Sequence, residues 1–323
     1  MPSWDVSTVG STMLSLGTDP GMTLLGSDRL RVDIAGAESN VAIALARLGK
    51  RVSWQSRLCL SPLAERVLSS IRSHGVDVSH VARTVEGRQE LFFLEAGGGS
   101  NRTTVTYDRG GAAIESLELA DLDLAAIADS RFFHFTGITP ALSDSCRDTL
   151  REVVERARAA GVTISCDLNY RSKLWSPEDA RETMEVLLPE VDLLILGAGD
   201  LRLLWGRDGA PETELRHLQE AFGIGTVLLT RGAHGAAGII DDRYCEQGAF
   251  AGEVVSPIGA GDAFAAGVLY SLVEGDPDLG LARGCAMAAL AREARSDYVV
   301  GGVAALDATI GDGPDGAGIQ ISL

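Results

Sequence analysis

Two hydrophobic rhythms alternate along this chain. In one, apolar residues recur every three to four positions, as on one face of a helix; in the other, short runs are apolar at nearly every position, as in strands covered on both sides. Val41, Ala42, Leu45 and Leu48 share a helical face that stops at Gly49. Ser61 and Pro62 offer a cap and a first-turn proline to a helix carrying Leu63, Val67, Leu68 and Ile71, stopped at Gly75. Arg131 to Phe135, Val162 to Cys166, Asp192 to Leu196 and Thr226 to Thr230 read as strands, each bounded by polar or glycine residues and separated by helical stretches. This alternation predicts an α/β fold, a doubly wound, mostly parallel sheet flanked by helices.

Two stretches, 12–37 and 88–113, depart from that rhythm and alternate apolar and polar residues without a helical period. Leu91 to Glu95 and Thr103 to Tyr107, joined across the glycine-rich Ala96 to Asn101, predict an antiparallel hairpin. A parallel sheet between helices has no place for it, so a second, small β-sheet projecting as a lid is expected. Its strands offer an apolar face, with Leu91, Phe93 and Val105, that a thin sheet does not bury alone, and this predicts a homodimer formed through the lids. The tail from Gly311 to Gly318 is glycine-rich, carries two aspartates and no basic residue, and is expected to have little structure of its own.

At 323 residues the chain has room for about two domains, or one large α/β domain with an insertion, and for a core that needs no disulfide. No apolar run reaches the roughly 18 residues of a membrane span, and Met1 to Gly10 lacks the features of a signal peptide, so a cytoplasmic protein without a membrane partner is expected. The formal charge of −17 disfavours a nucleic-acid partner, since no basic run reverses it. Among the 28 basic residues only Lys50 and Lys173 are lysines. An anionic small substrate would therefore be gripped by a few focused arginines, whose planar fork matches a carboxylate or phosphate. Cys59, Cys146, Cys166, Cys245 and Cys285 are scattered and read as small buried apolar residues. His74 and His80 fall at a helix end and in the loop after it, His217 on a polar helical face, and His134 in a core strand; no two have ligand spacing, and no protein-built metal site is expected.

The sharpest chemistry lies in Ile258-Gly259-Ala260-Gly261-Asp262-Ala263-Phe264, which follows a candidate strand, Glu253 to Val255, and opens an apolar helix through Val268, Leu269 and Leu272. Small side chains leave the amides of Gly259, Ala260 and Gly261 uncovered at a helix N-terminus, a natural anion site. Asp262 beside that site suits a base that takes a proton from a hydroxyl attacking phosphorus; the alternative is that it merely caps the helix.

The run GAGDAFAAG (259–267) resembles the C-terminal signature of the PfkB, or ribokinase-like, carbohydrate kinases, and Gly36-Ala37-Glu38-Ser39-Asn40 with Ala42 and Gly49 resembles their N-terminal one. Tyr107-Asp108-Arg109, Asp167-Leu168-Asn169-Tyr170-Arg171 with Leu174-Trp175, and Ser296-Asp297-Tyr298 are similar to runs found together in 2-keto-3-deoxygluconate kinases. The resemblance spans about Val9 to Val303. It implies a nucleotide-binding core from 1–11, 38–87 and 114–310, a β-sheet lid from 12–37 and 88–113, and a tail from 311–323. It further implies ATP and Mg²⁺ as cosubstrates, and phosphoryl transfer to the terminal hydroxyl of a sugar acid. Asp262 would be the base, and the amides from Gly259 through Ala260 and Gly261 to Asp262 the anion hole. Gly36 and Asn40 would meet sugar hydroxyls, Tyr107 and Arg109 would reach from the lid, and Arg171 would enter from the core. Thr230, Gly232 and Gly235 would lie along the nucleotide, with His234 brushing it and the helix of Cys285 and Ala289 near the adenine. Asn169 and Tyr170 read as positioning residues.

Some positions depart from the family pattern. Ser256 stands where relatives carry an aspartate before the anion hole, which puts a monovalent-cation contact in question. Ala35 replaces the first of two glycines at the sugar site, Gly197 and Asp200 replace the ends of an NxxE motif, Cys59-Leu60 replaces a glycine and an acidic residue, and Gly111 replaces a serine. Two alternatives to a sugar-acid kinase therefore stay open: a kinase for a neutral sugar such as fructose or ribose, which would give Arg109 and Arg171 nothing to neutralise, and a sugar-binding homologue with weak turnover.

Overall fold

The computed structural model describes residues 2–95, 97, 103–256, 258–311 and 313. Its strands, in chain order, are β1 (Trp4–Val9), β2 (Met13–Gly17), β3 (Arg31–Ala35), β4 (Val52–Gln55), β5 (Arg57–Cys59), β6 (Ala82–Thr84), β7 (Leu91–Glu95), β8 (Thr104–Asp108), β9 (Ser130–Thr136), β10 (Thr163–Asp167), β11 (Leu193–Gly197), β12 (Thr226–Thr230), β13 (Ala236–Ile240) and β14 (Arg243–Gln247). Eight form one sheet in the order β14-β13-β12-β11-β10-β9-β1-β4. It is parallel from β4 to β12, and β13 and β14 turn back antiparallel.

Helices cover both faces, which is why the strands are apolar at successive positions. In β11, Leu193 and Ile195 enter a core shared with the helices Ala37–Arg47, Ala260–Glu274 and Gly280–Glu293, while Leu194 and Leu196 enter the opposite core with Asp144–Ala159 and Pro211–Phe222. The predicted stops hold: Gly49 and Gly75 adopt φ of 81° and 92° just past their helices, a conformation that costs glycine little. Ser61 accepts the amide of Ala64, with Pro62 at the first helical position. Leu63, however, is turned outward at 48% exposure, and Ala64 takes its place in the buried 64, 67, 68, 71 stripe, at whose edge position 63 falls.

Four strands form the separate small sheet, in the order β3-β2-β7-β8. Its hairpin strands are Leu91–Glu95 and Thr104–Asp108; the connecting Ala96 to Asn101 lies, apart from Gly97, outside the described residues. The predicted apolar face needs correction. The register sets Phe92 opposite Tyr107 and Leu94 opposite Val105, so these four share the face toward the cavity described below, while Leu91 and Phe93 lie on the other face with Leu14, Leu16, Val32 and Ile34. On that outer face Leu14, Ile34 and Leu91 pack on the core, leaving Leu16, Val32 and Phe93 partly open.

The strand expected at Glu253 to Val255 does not form. Val254 and Val255 are 60% and 46% exposed, and the amides of Val255 and Ser256 both donate to the Arg292 carbonyl, so this segment closes the end of a helix instead of joining a sheet. Gly311, assigned to the tail, ends a helix, Val303–Gly311; the rest of the tail except Gly313 lies outside the described residues.

The helices Ala260–Glu274 and Gly280–Glu293 cross at Gly267, where a Cβ would collide with the Arg283 carbonyl and lie 2.8 Å from Gly284 Cα. Gly267→Ala should therefore lower stability by about 1–3 kcal/mol. Gly199→Ala, with nothing within 4 Å, should cost nothing. Denaturant unfolding of the two variants side by side checks this, and equal stability would refute the close-contact argument.

Candidate active site

The parallel strands end together on one edge of the sheet, β9 at Thr136, β10 at Asp167, β11 at Gly197 and β12 at Thr230, and the helix opened by Gly259 aims its N-terminus at the same edge. Carboxyl ends of parallel strands are where ligands bind in such sheets. The lid's inner face, with Met13, Ala35, Phe92 and Tyr107, stands over this edge and encloses a cavity of about 860 Å³. A second cavity of about 330 Å³ continues from it past Asp262, Gly259 and Gly261.

Asp262 is 7% exposed and lines both cavities. It does not cap its helix: the cap is Gly259, at φ 81°, and no side chain caps there. Asn40 Nδ2 donates to one Asp262 oxygen at 2.7 Å and Asn169 Nδ2 to the other at 3.2 Å. Neutral amides thus hold the carboxylate without taking its charge. Asn169 is itself held in a left-handed conformation, φ 42°, with its amide on Asp167 Oδ1 at 3.1 Å and its Nδ2 within 3.3 Å of Asp167 Oδ2. Gly259 must be glycine, because a Cβ there would strike the Asp297 carbonyl. Gly36 likewise has no room for a side chain, with Ser11, Thr12 and Ser39 against it.

Three further acids surround Asp262, and sequence reasoning gave none of them a role although each lies in a quoted run. Burial pushes Asp167 up to about 8, with the negative Asp262 and Asp200 adding to the effect and Arg171 opposing it. Glu38 rises to about 7 by burial, although the hydroxyls of Thr136 and Thr139 donate to its Oε1 at 2.7 and 2.8 Å. Asp297 also rises to about 7, by burial and then by Asp33 and Asp262; its Oδ2 is buried without a partner and the residue lines the larger cavity. Acidic residues inside runs of small or apolar ones were the available signal.

Three cations line the larger cavity. Arg109 Nε sits 3.3 Å from the buried carboxylate of Glu90 and 3.2 Å from Met13 Sδ, and its guanidinium lies 5.3 Å from the Tyr107 ring centre. Arg171 lines both cavities, and its side chain makes no hydrogen bond or ion pair among the described residues. Lys173, which sequence reasoning passed over, donates to the Val105 carbonyl at 2.9 Å and lies 5.3 Å from the Tyr107 ring centre.

The predicted nucleotide residues are only partly brought together. Thr230 lines the smaller cavity, and with Gly232 and His234 also a neighbouring groove of about 500 Å³ that includes Gly197. Gly235 is a tight turn at φ 75°, and Cys285 and Ala289 are buried in the core rather than at these cavities. At the departures, Asp200 accepts the amides of Tyr170 and Gly197, and the Ser256 hydroxyl accepts the Ile258 amide at 3.3 Å. Among the described residues no group of three or more His, Cys, Asp or Glu is placed to hold a metal.

The raised acids have a consequence for stability. In the folded protein they keep protons that the unfolded chain releases near 3.8 for Asp and 4.5 for Glu, so stability present below those values is lost as pH rises through about 7 to 8. The thermal midpoint of the ligand-free protein should fall between about pH 5 and about pH 8.5, and Glu38→Gln should flatten that fall. A midpoint independent of pH over this window would contradict the burial argument.

A model of the pfkB family carbohydrate kinases matches residues 5–299. The chain is 40% identical over 297 residues to a 2-dehydro-3-deoxygalactonokinase of Haloferax volcanii, covering 92% of this chain and 93% of that one. It is 33% identical over 245 residues to a 2-dehydro-3-deoxygluconokinase of Bacillus subtilis, covering 75% of each. The crystal structure of a 2-dehydro-3-deoxygluconokinase from Thermotoga maritima superimposes with a TM-score of 0.88 at 28% identity, over 94% of this chain and 96% of that one. With the signature glycines and aspartate in place at the sheet edge, this chain belongs to the pfkB family of carbohydrate kinases.

Proposed function

We propose that the protein transfers the γ-phosphoryl group of ATP to the terminal hydroxyl of a 2-keto-3-deoxy sugar acid, 2-keto-3-deoxygluconate or its galacto isomer. One observation carries the reading: a carboxylate held by two asparagine amides stands beside a glycine-built helix N-terminus, at the meeting of a cavity lined by cations and a second, smaller one. Relatives named for these two sugar acids support it. A neutral sugar would bring no charge to the cations on the larger cavity, and the retained, well-held Asp262 speaks against a homologue that has lost turnover.

In this reading Asp262 accepts the proton as the substrate oxygen forms its bond to the γ-phosphorus and the bond to the β-bridging oxygen breaks, releasing ADP. The exposed amides of the 259–262 turn receive the charge of the transferring group, and Arg171, at the junction of the cavities, offsets it. The cradle fits a phosphate group, since Gly259 and Gly261 line the smaller cavity without side chains and the space beside Gly261 is open. Mg²⁺ would supply charge neutralisation on the phosphates, and with no cluster of protein ligands it would be held mainly by those phosphates and water. Asp297, with its free buried oxygen, is available to a substrate hydroxyl. A monovalent cation is not part of this reading, because the neutral Ser256 side chain supplies no charge there.

The small sheet acts as a lid, and two copies pair through its outer face at Leu16, Val32 and Phe93. Sedimentation at micromolar concentration should show a dimer that Phe93→Arg dissociates; a monomeric parent protein would remove this part.

A coupled ADP-release assay over sugar acids and neutral sugars tests the main reading, with the keto-deoxy acids expected as preferred acceptors. Asp262→Asn should lower kcat by about 10²- to 10⁴-fold with the fold retained. Near-normal turnover in that variant would remove the base assignment. Arg171→Lys keeps the charge and loses the planar fork, and should lower kcat/KM by about one to two powers of ten. An undiminished value would show that its fork is not used.

A further inference from the structure

We propose that Tyr298 is a positioning residue for phosphoryl transfer: through its hydrogen bond to Asp33 it keeps the Asp297 carbonyl against Gly259 and so fixes the anion-hole turn. The proposal rests on the reading above, in which the amides of 259–262 receive the transferring charge. No side chain caps that turn, and Gly259 sits at φ 81° with the Asp297 carbonyl oxygen 1.9 Å from where a Cβ would stand. The turn therefore leans on the loop that carries Asp297. That loop, 294–302, joins the helices Gly280–Glu293 and Val303–Gly311 and belongs to no helix or strand, so its place depends on the side chains that hold it.

Lid strand β3 supplies two of those ties. Arg31 Nη2 donates to the Arg295 carbonyl at 2.8 Å, and the Tyr298 hydroxyl donates to Asp33 Oδ1 at 3.1 Å, so both ends of 295–298 are fastened to one strand. Between the ties the backbone passes Gly259, and Asp297 lines the larger cavity. The Arg31 bond is exposed to water, whereas Tyr298 is 8% exposed, and a shielded bond holds better. Asp33 Oδ1 also accepts the Ile34 amide at 2.9 Å, which aims it, and the Tyr298 ring packs edge-on to His74 with centres 4.9 Å apart. Ser70 lies beside the hydroxyl. Beyond Gly36, β3 leads into the helix of Asn40, which holds Asp262 at 2.7 Å, so the same lid strand bears on the base and on the anion hole. Donors fixed before the reaction need no reorganisation as charge develops, and loosening them costs rate rather than ground-state binding.

Tyr298→Phe keeps the ring on His74 and removes only the hydroxyl. With thermal unfolding confirming the fold, it should lower the single-turnover rate of phosphoryl transfer to a keto-deoxy acid about 3- to 10-fold and leave KM for the acid within about two-fold. Inhibition by ADP with aluminium fluoride, whose planar fluoride mimics the transferring group, should weaken by a similar factor in the presence of the acid, while ADP alone binds as before; a loosened fold by itself would not separate the two. Asp33→Ala should match Tyr298→Phe, Asp33→Asn, which keeps an acceptor oxygen, should retain most of the rate, and the Tyr298→Phe/Asp33→Ala double variant should be no slower than the slower single. An unchanged rate in Tyr298→Phe, a loss confined to KM, additive losses in the double variant, or Asp33→Asn as slow as Asp33→Ala would each overturn the proposal while leaving the kinase reading intact. A wild type that transfers phosphoryl to no sugar or sugar acid would overturn that reading and this proposal together.

Discussion

A carboxylate that must take a proton inside a protein has to be fixed in place without being neutralised, and the pair of amides on Asp262 meets that requirement. Asn40 reaches it from the helix after β3, and Asn169 from the turn after β10. An arginine in either place would hold the carboxylate more strongly and weaken it as a base. Asn169 serves only because Asp167 keeps its backbone left-handed, and the helix of Asp262 begins only because Gly259 tolerates φ 81° against Asp297. Strand ends, helix N-terminus and two residues of positive φ are therefore parts of one arrangement.

That arrangement concentrates acids. Glu38, Asp167 and Asp297 all sit around Asp262, and burial favours their protonated forms. Proton sharing among them limits the repulsion that four charges in so small a space would produce. The two threonine hydroxyls on Glu38 show how one of these acids is accommodated, since a hydroxyl can donate to the carboxylate or accept from its protonated form.

Much of this was legible in the sequence wherever a residue's role follows from local geometry. The strand Thr226 to Thr230 was read at its true bounds because an apolar run between polar ends has one comfortable place in a doubly wound sheet. The helix opening at the glycine-rich turn before Asp262 was legible for a similar reason: small residues ahead of a long apolar run favour a helix start there. Pairing and burial were less visible. A one-residue difference in β8, Thr104–Asp108 against Thr103–Tyr107, accompanies the wrong face for Val105, because side-chain direction reverses at each step. Val254 and Val255 looked like a strand but had no partner edge to join. Lys173 carried no motif, and its meaning lies in which cavity it borders.

The acidic surface gives those few cations their weight. A chain with a formal charge of −17 repels an anionic sugar and an anionic nucleotide at a distance, so attraction must be short-ranged and confined to the cavity. Arg109, Arg171 and Lys173 bring positive charge to that cavity, with Arg171 at its junction with the smaller one. Where the inner face of the small sheet shields this cavity from water, each charge-assisted contact is strengthened. An acid gains from such a contact at short range, where the charge of a nearby cation outweighs the distant acidic surface, and a neutral ligand does not.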